Sequence, residues 1–371
     1  GRDWGNTTLT ARYNHIFGER LFLNSTIIYS DYDYKITSEF EGNSLDLTSG
    51  ITDISVKEDL QFFIRPEFTA KAGASLIYHT FEPGELRQMD TTIFIPKRYA
   101  YESGVYLSFE QKINSALTAE YGLRYSGFYL VGPQNELLFN ADGGVVKEEE
   151  HDRGDLFKTY YGLEPRLAAN YRLNKSSSIK LGYNRNFQFV HLLSSNTASF
   201  PIDYWIPSSA MVKPQRVDQI SLGYYRNFFD NVLETSAEVY YKDLQNQIDF
   251  KQAADILLND EYEGQLVFGE GRAYGVELMA RKQVGNLTGW IGYTLSKTER
   301  QVDTINGGDW YPARQDRTHD IIIVAMYDLN SRISLAANWV YYTGDAVTYP
   351  SGRYKINDKY VPYSPERNGY R

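Results

Sequence analysis

Apolar and polar positions alternate without a break between residues 117 and 126. Leu117, Ala119, Tyr121, Leu123 and Tyr125 are apolar, and Thr118, Glu120, Gly122, Arg124 and Ser126 between them are small, polar or charged. Successive side chains of a strand point to opposite faces, so this segment has one greasy face and one wet face. The same period of two recurs at Phe68–Tyr78, Leu163–Tyr171, Leu233–Tyr241 and Ile333–Tyr341. Fourteen strands are predicted, near residues 6–17, 20–36, 53–65, 67–81, 99–112, 115–129, 157–172, 176–189, 215–228, 231–248, 267–283, 286–300, 317–328 and 331–345. Many are about 13 to 16 residues long, against about 5 to 6 in most globular proteins. A tilted strand needs about 9 to 11 residues to cross a bilayer. The extra length predicts a transmembrane wall that stands above its membrane.

The connections alternate as well. Short turns are predicted at Gly18-Glu19, Arg65-Pro66, Asn114-Ser115, Asn174-Lys175, Asp230-Asn231, Gly285-Asn286 and Asn330-Ser331, where Gly, Asn and Asp suit tight-turn geometry. Long polar loops fall between them, near 37–52, 82–98, 130–156, 190–214, 249–266 and 301–316. Short turns at one end and long loops at the other mark an outer-membrane barrel with its long loops outside the cell. Glu and Arg on the wet face cannot point into lipid, where Arg or Lys costs about 2–4 kcal/mol at mid-depth. They are expected to line the interior.

Composition supports this picture. The chain has 371 residues with 32 Tyr and 19 Phe, an excess suited to aromatic girdles at the bilayer interfaces. A soluble Tyr-rich β protein is the plainer reading of that count. The mean hydropathy of −0.47 leaves no apolar run for a membrane helix. There is no Cys, so neither a disulfide framework nor a thiolate metal site exists. The net charge of −9 argues against nucleic acid as a partner. In this topology both chain ends fall on the long-loop side, and no final aromatic closing strand is visible. The expectation is therefore one partial barrel domain over 1–371, an internal portion of a larger barrel.

Two segments carry a family resemblance. GEGRAYGVELMARKQVGNLTGWIGYTLSKTE (269–299) and YPARQDRTHDIIIVAMYDL (311–329) resemble a late hairpin and the next strand of TonB-dependent outer-membrane receptors, of the kind abundant in Bacteroidetes. FEPGELR (81–87) and KPQRVDQISLGYYRNF (213–228) are similar to other strand starts of that family. The resemblance implies an all-β, 22-stranded antiparallel barrel, an N-terminal plug and a box that engages the TonB complex. Neither plug nor box is found in this sequence. It also implies TonB-coupled uptake of a scarce nutrient, such as a siderophore, cobalamin, a glycan or a peptide. A surface lipoprotein lid is a further partner it allows. A passive channel and a rim-located hydrolase are the rival readings, and no cofactor is implied.

Candidate site residues follow. Phe200, Tyr204 and Trp205 in FPIDYWIP (200–207), with Trp310 and Tyr311, offer apolar surface to a ligand outside the membrane; packing of the loops on one another explains them equally well. Glu120, Arg124, Glu164, Arg166, Glu238, Glu277 and Arg281 would anchor a plug from the lumen face. Asp316, Arg317, His319 and Asp320 are read as a structural strand lead-in, not a metal cluster. The five His residues show no ligand spacing, so no metal site is expected. GEGRAYG (269–275) opens a strand, which argues against phosphate binding. The acidic run EEEHDRGD (148–155) is expected to be solvated, with cation capture as the minor alternative.

Overall fold

The computed structural model describes the chain except residues 41, 42, 89, 90, 195–202, 252, 253, 255–258, 260, 357, 358 and 365; at 38–40, 43–45, 86–88, 91–94, 194, 203, 204, 356, 359, 361 and 362 it describes the backbone alone. Fourteen long strands form one continuous antiparallel path. They are Arg2–Ile16, Leu21–Phe40, Asn43–Arg65, Phe68–Gln88, Arg98–Lys112, Leu117–Val131, Leu156–Arg172, Ser177–Gln188, Gln215–Phe228, Leu233–Phe250, Leu266–Lys282, Leu287–Gln301, His319–Asn330 and Ile333–Tyr342. Each pairs with its sequence neighbour in the path, as expected for a chain of hairpins. The sheet is open: among the described residues, Arg2–Ile16 and Ile333–Tyr342 each pair on one side only and not with each other. Apart from two short 3-10 turns, the described residues contain no helix, and none long and apolar enough to cross a membrane.

The turns at the short end are built by Asn and Gly. Asn114 Oδ1 accepts from the backbone N–H of Ala116 at 2.8 Å and of Leu117 at 2.9 Å. Asn174 and Asn330 bind the N–H two residues on in the same way. Gly285 sits at φ +94°, a conformation that a side chain would strain.

Register carries one face across the whole wall. Tyr121 lies beside Phe109 on one neighbour and Leu167 on the other, and Leu123 beside Leu107. Trp339 lies beside Ile323, which lies beside Ile291. These side chains are exposed although apolar: Leu123 is 48%, Leu335 57% and Trp339 53% accessible. An exposed apolar band of this extent is a lipid-facing surface. Glu120, Arg124, Glu238 and Asn338 occupy the alternate positions and face the other way, as the alternation predicts.

The inner face carries its own polar network. The Arg124 guanidinium donates to Ser126 Oγ at 3.1 Å and Ser75 Oγ at 3.2 Å. Ser126 Oγ donates to Glu164 at 2.7 Å, and Arg166 lies 3.6 Å from the same carboxylate. Tyr106 donates to Asp59 at 2.7 Å and Tyr225 to Glu238 at 2.8 Å. Gly104 makes room for this layer, because a Cβ there would sit 2.0 Å from an Arg124 nitrogen. The long side chain therefore lies flat along the wall.

The outer end departs from the expected loops. Residues 37–52 are predicted as a loop but are largely strand, since Leu21–Phe40 and Asn43–Arg65 pair up to Phe40 and Asn43. Tyr32, Tyr34 and Ile36 alternate with Asp31, Asp33 and Lys35 up to the start of the predicted loop, and the ladder continues beyond them. The predicted loop 82–98 is likewise largely strand, since Phe68–Gln88 runs on to Gln88 and pairs with Thr91–Ile95. Two other loops hold small hairpins: Gln134–Phe139 with Val145–His151, and Val190–Ser194 with Asp203–Pro207. The last long strand stops at Tyr342, three residues short of its expected end.

A lipid-face substitution should separate the two faces. Leu123→Arg is expected to lower the folded, heat-modifiable fraction in outer-membrane preparations, reflecting a cost of about 2–4 kcal/mol. Glu120→Arg, on the opposite face, should assemble normally. Equal loss for both would place the lipid face wrongly.

Candidate functional site: the capped outer end of the wall

The principal apolar core lies at the long-loop end of the wall, between the outer strand ends and the loops. Leu47, Ile95, Leu193, Ile206, Val212, Ile248, Phe250, Tyr262 and Leu266 form one buried cluster, drawn from the tips of widely separated hairpins. A second layer of Phe81, Ala100, Phe128, Leu130 and Phe189 lies where the strands meet the loops. The Phe128 and Phe189 rings stack at 5.2 Å, with planes 2° apart. Burial of these side chains stabilises at about 1.5–3 kcal/mol each, and it is what orders segments that have no neighbouring strand to lean on.

Two buried carboxylates tie the cap together. Glu263, 5% exposed, pairs with Arg98 and accepts from Ser209 Oγ at 2.7 Å. The Arg98 guanidinium also lies 5.1 Å over the ring of Tyr262. Burial pushes the Tyr262 hydroxyl above its ordinary range, so it stays protonated. Asp249, also 5% exposed, accepts from the Tyr311 hydroxyl at 2.8 Å and from Arg367 at 3.1 Å, with Arg300 3.9 Å away. Ion pairs this deep hold because each oxygen finds a donor. Removal of one partner would leave a charge stranded.

The sequence candidates divide by place. Phe200 lies outside the described residues, as does the side chain of Tyr204. Trp205 packs against the Phe81–Phe189 layer and meets Tyr32 edge-on at 6.4 Å. Tyr311 is 1% exposed and spends its hydroxyl on Asp249, so in this structure it is a core residue. Trp310, half-buried, covers the Arg272 guanidinium at 4.1 Å. On the inner face Arg124, Glu164 and Arg166 come together, and Glu238 is held by Tyr225. Glu120, Glu277 and Arg281 are exposed and make no ion pair among the described residues. The lead-in at 316–320 is structural as expected. Asp316 is fully buried, accepts from the Thr298 N–H at 2.5 Å and pairs with Arg371, while Arg317 reaches Asp345 at 3.2 Å.

Arg98, Glu263, Ser209 and Asp249 were not foreseen. Arg98 and Glu263 are 165 positions apart, and no local pattern joins them. Two cavities open beside the cap. One of about 290 Å³ is lined by Phe139, Asn140, Met211, Lys251, Phe268 and Thr304. Another of about 350 Å³ is lined by Asp31, Asp33, Thr52, Glu82 and Lys97. A His–Ser pair and a His–carboxylate pair lie near the cap: His79 Nδ1 is 2.7 Å from Asp53 Oδ1. His191 and Ser208 are 2.9 Å apart, but both are buried, and His191 Nδ1 has no carboxylate to orient it among the described residues.

With wall, faces and cap in place, the comparisons give the class. The chain belongs to the TonB dependent receptor-like, beta-barrel family, which matches residues 1–370. It is accordingly an outer-membrane β-barrel protein. Among solved structures it is similar in fold to the copper transporter OprC, with 14% identity and a TM-score of 0.66 over 92% of this chain and 53% of that one. It is also similar to the siderophore receptor PiuA from Acinetobacter baumannii, at 13% identity and TM-score 0.64, covering 92% of this chain and 55% of that one. The pyoverdine outer membrane receptor FpvA from Pseudomonas aeruginosa matches at 12% identity and TM-score 0.61, over 93% and 54%. The chain thus spans about half the length of the structures it matches. No curated protein matches it.

Acid should loosen the cap through His191. Burial pushes its imidazole down to about 4, whereas the unfolded segment binds its proton near 6.5. The unfolded state therefore holds the extra proton between those values. Stability is constant above pH 6.5, falls as pH drops through the window and levels near pH 4, by up to about 3 kcal/mol in total. Hydrogen exchange at 190–194 and 203–207, corrected for intrinsic rates, should show this decline. His191→Gln should flatten it, and an unchanged slope in that variant would assign the decline to other groups.

Proposed function

We propose that this chain is the wall and outer cap of an active importer. It takes up a scarce nutrient too large for a passive pore: a siderophore, cobalamin, glycan or peptide. The observation that carries this reading is the cap itself. Loops from separate hairpins share one core over the mouth of the wall, closed by the Glu263 and Asp249 nodes. A passive channel gains nothing from an apolar, charge-locked cover. A receptor that binds cargo outside and passes it inward needs one.

The inner face supports the same reading. Arg124, Glu164, Arg166 and Glu238 are held along the wall by hydrogen bonds, and they offer a plug a polar surface to bind reversibly. Glu120, Glu277 and Arg281 offer free charges on that surface. Such a plug, the TonB complex that would pull on it and a surface lipoprotein lid are partners in this proposal. So is relation to the Bacteroidetes-type receptors, which rests on the segments 269–299 and 311–329. The two outermost strands have unpaired edges that lipid cannot satisfy; further wall strands would cover them. Trp205 and Trp310, both partly accessible, are the aromatic residues best placed to meet cargo at the mouth, and Phe200 and Tyr204 belong to the same loop as Trp205. The relatives that are named as transporters and receptors, with no enzyme among those compared above, favour transport without bond making or breaking.

The test is energy dependence. Cells expressing the full-length gene should accumulate one labelled nutrient from panels of ferric siderophores, cobalamin, glycans and peptides. Accumulation should stop within minutes of a protonophore and be absent without TonB. Uptake that continues under both conditions would make the chain part of a passive channel.

A further inference from the structure

The hairpin Gln134–Phe139 with Val145–His151 brings together groups that are scattered in sequence. Its register sets Gln134 opposite His151 and Glu136 opposite Glu149. All four side chains therefore share one face. One donor atom from each of Glu136, Glu149 and His151 lies within 4.8 Å of the others. Asn135, Leu137 and Glu148 take the other face, where Asn135 donates to Glu148.

This face is unfinished as a hydrogen-bonded surface. Glu136 and Gln134 are each 8% exposed. Three buried atoms on it, Glu136 Oε1, Gln134 Oε1 and His151 Nε2, make no hydrogen bond. Native structures rarely leave such atoms unpaired, and an ion is one reason they do. The imidazole is held in place: its ring lies flat on Phe157, with centroids 4.2 Å apart and planes at 5°. Its Nε2 is 3.5 Å from Glu136 Oε2. The Glu149 carboxylate pairs with the Lys147 ammonium. Lys147 itself is 60% exposed and free to swing out.

We propose that this hairpin binds a divalent transition-metal ion of the zinc type. His151, Glu136 and Glu149 are its ligands, with the Gln134 carbonyl as a fourth donor. One imidazole nitrogen with oxygen donors suits zinc, whereas calcium is bound by oxygens alone. Tetrahedral zinc donors sit roughly 3.3 Å apart, so the group closes on an ion by small side-chain rotations. Sequence spacing concealed the site, because Glu136 and Glu149 meet only through the hairpin register. The ion would clamp the base of a hairpin whose tip reaches the cap, where Lys251 donates to Ala141 O at 3.1 Å. The site is independent of the cargo reading above.

The experiment uses the full-length receptor, purified in detergent, freed of any tag and stripped with chelator. Zinc chloride is titrated calorimetrically, with calcium chloride as control. One zinc per chain is expected and no calcium response. Glu136→Gln and His151→Asn should each weaken binding ~tenfold or more. Lys147→Ala, outside the ligand set, should retain it. X-ray absorption of the wild-type zinc complex should show one imidazole within a nitrogen and oxygen shell; this readout needs no variant to fold. Absence of zinc binding, equal binding in both ligand variants, or a shell with two or more imidazoles would overturn the proposal.

Discussion

A peptide group in hydrocarbon can bond only to another peptide group, and the architecture follows from that constraint. Each wall strand between the outermost two meets it by pairing with a neighbour on both sides. Pairing fixes register, and register fixes faces. Because side chains alternate, a one-residue slip of Leu117–Val131 would turn Arg124 into lipid and Leu123 into the interior. The tight turns built on Asn114, Asn174 and Asn330 set that register at one end. The wall needs no apolar core of its own, since lipid solvates one face and polar side chains line the other.

Beyond the membrane the constraint changes. Water can satisfy a loop's backbone, so loops gain order only by burying surface. Here they bury it against one another and against the outer strand ends, in the main apolar cluster. Burial also brings charge inside, at Glu263 and Asp249. Each carboxylate is surrounded by donors from other segments, and those donors select one arrangement of loops.

The wall was legible in the sequence because its rule is local. A period of two and a turn residue suffice to place Leu117–Val131 or Leu233–Phe250 within a few residues. The cap was not legible, because its contacts are between segments. Nothing near Arg98 announces Glu263, and EEEHDRGD reads as solvated until the hairpin register sets Glu149 and His151 beside Glu136. Tyr311 shows the same limit: an aromatic residue in a polar loop reads as ligand surface, but its hydroxyl is committed to Asp249. The tall hairpin of Leu21–Phe40 and Asn43–Arg65 lay between these cases. Its alternation at Tyr32, Tyr34 and Ile36 was visible, but polar composition concealed the continued pairing.

The absence of cysteine from the chain makes the central claim, a one-sided wall with its cap outside the cell, directly measurable. Single cysteines at Leu123, Glu120, Asp142 and Lys175 can be probed in intact cells with a membrane-impermeant maleimide, and again after lysis. The account predicts labelling of the Asp142 site in intact cells and of the Lys175 site only after lysis. It predicts that the Leu123 site resists the aqueous reagent throughout yet is quenched by lipid-soluble probes, while the Glu120 site on the opposite face is not. Labelling of Lys175 but not Asp142 from outside, or lipid quenching at Glu120 but not Leu123, would contradict it.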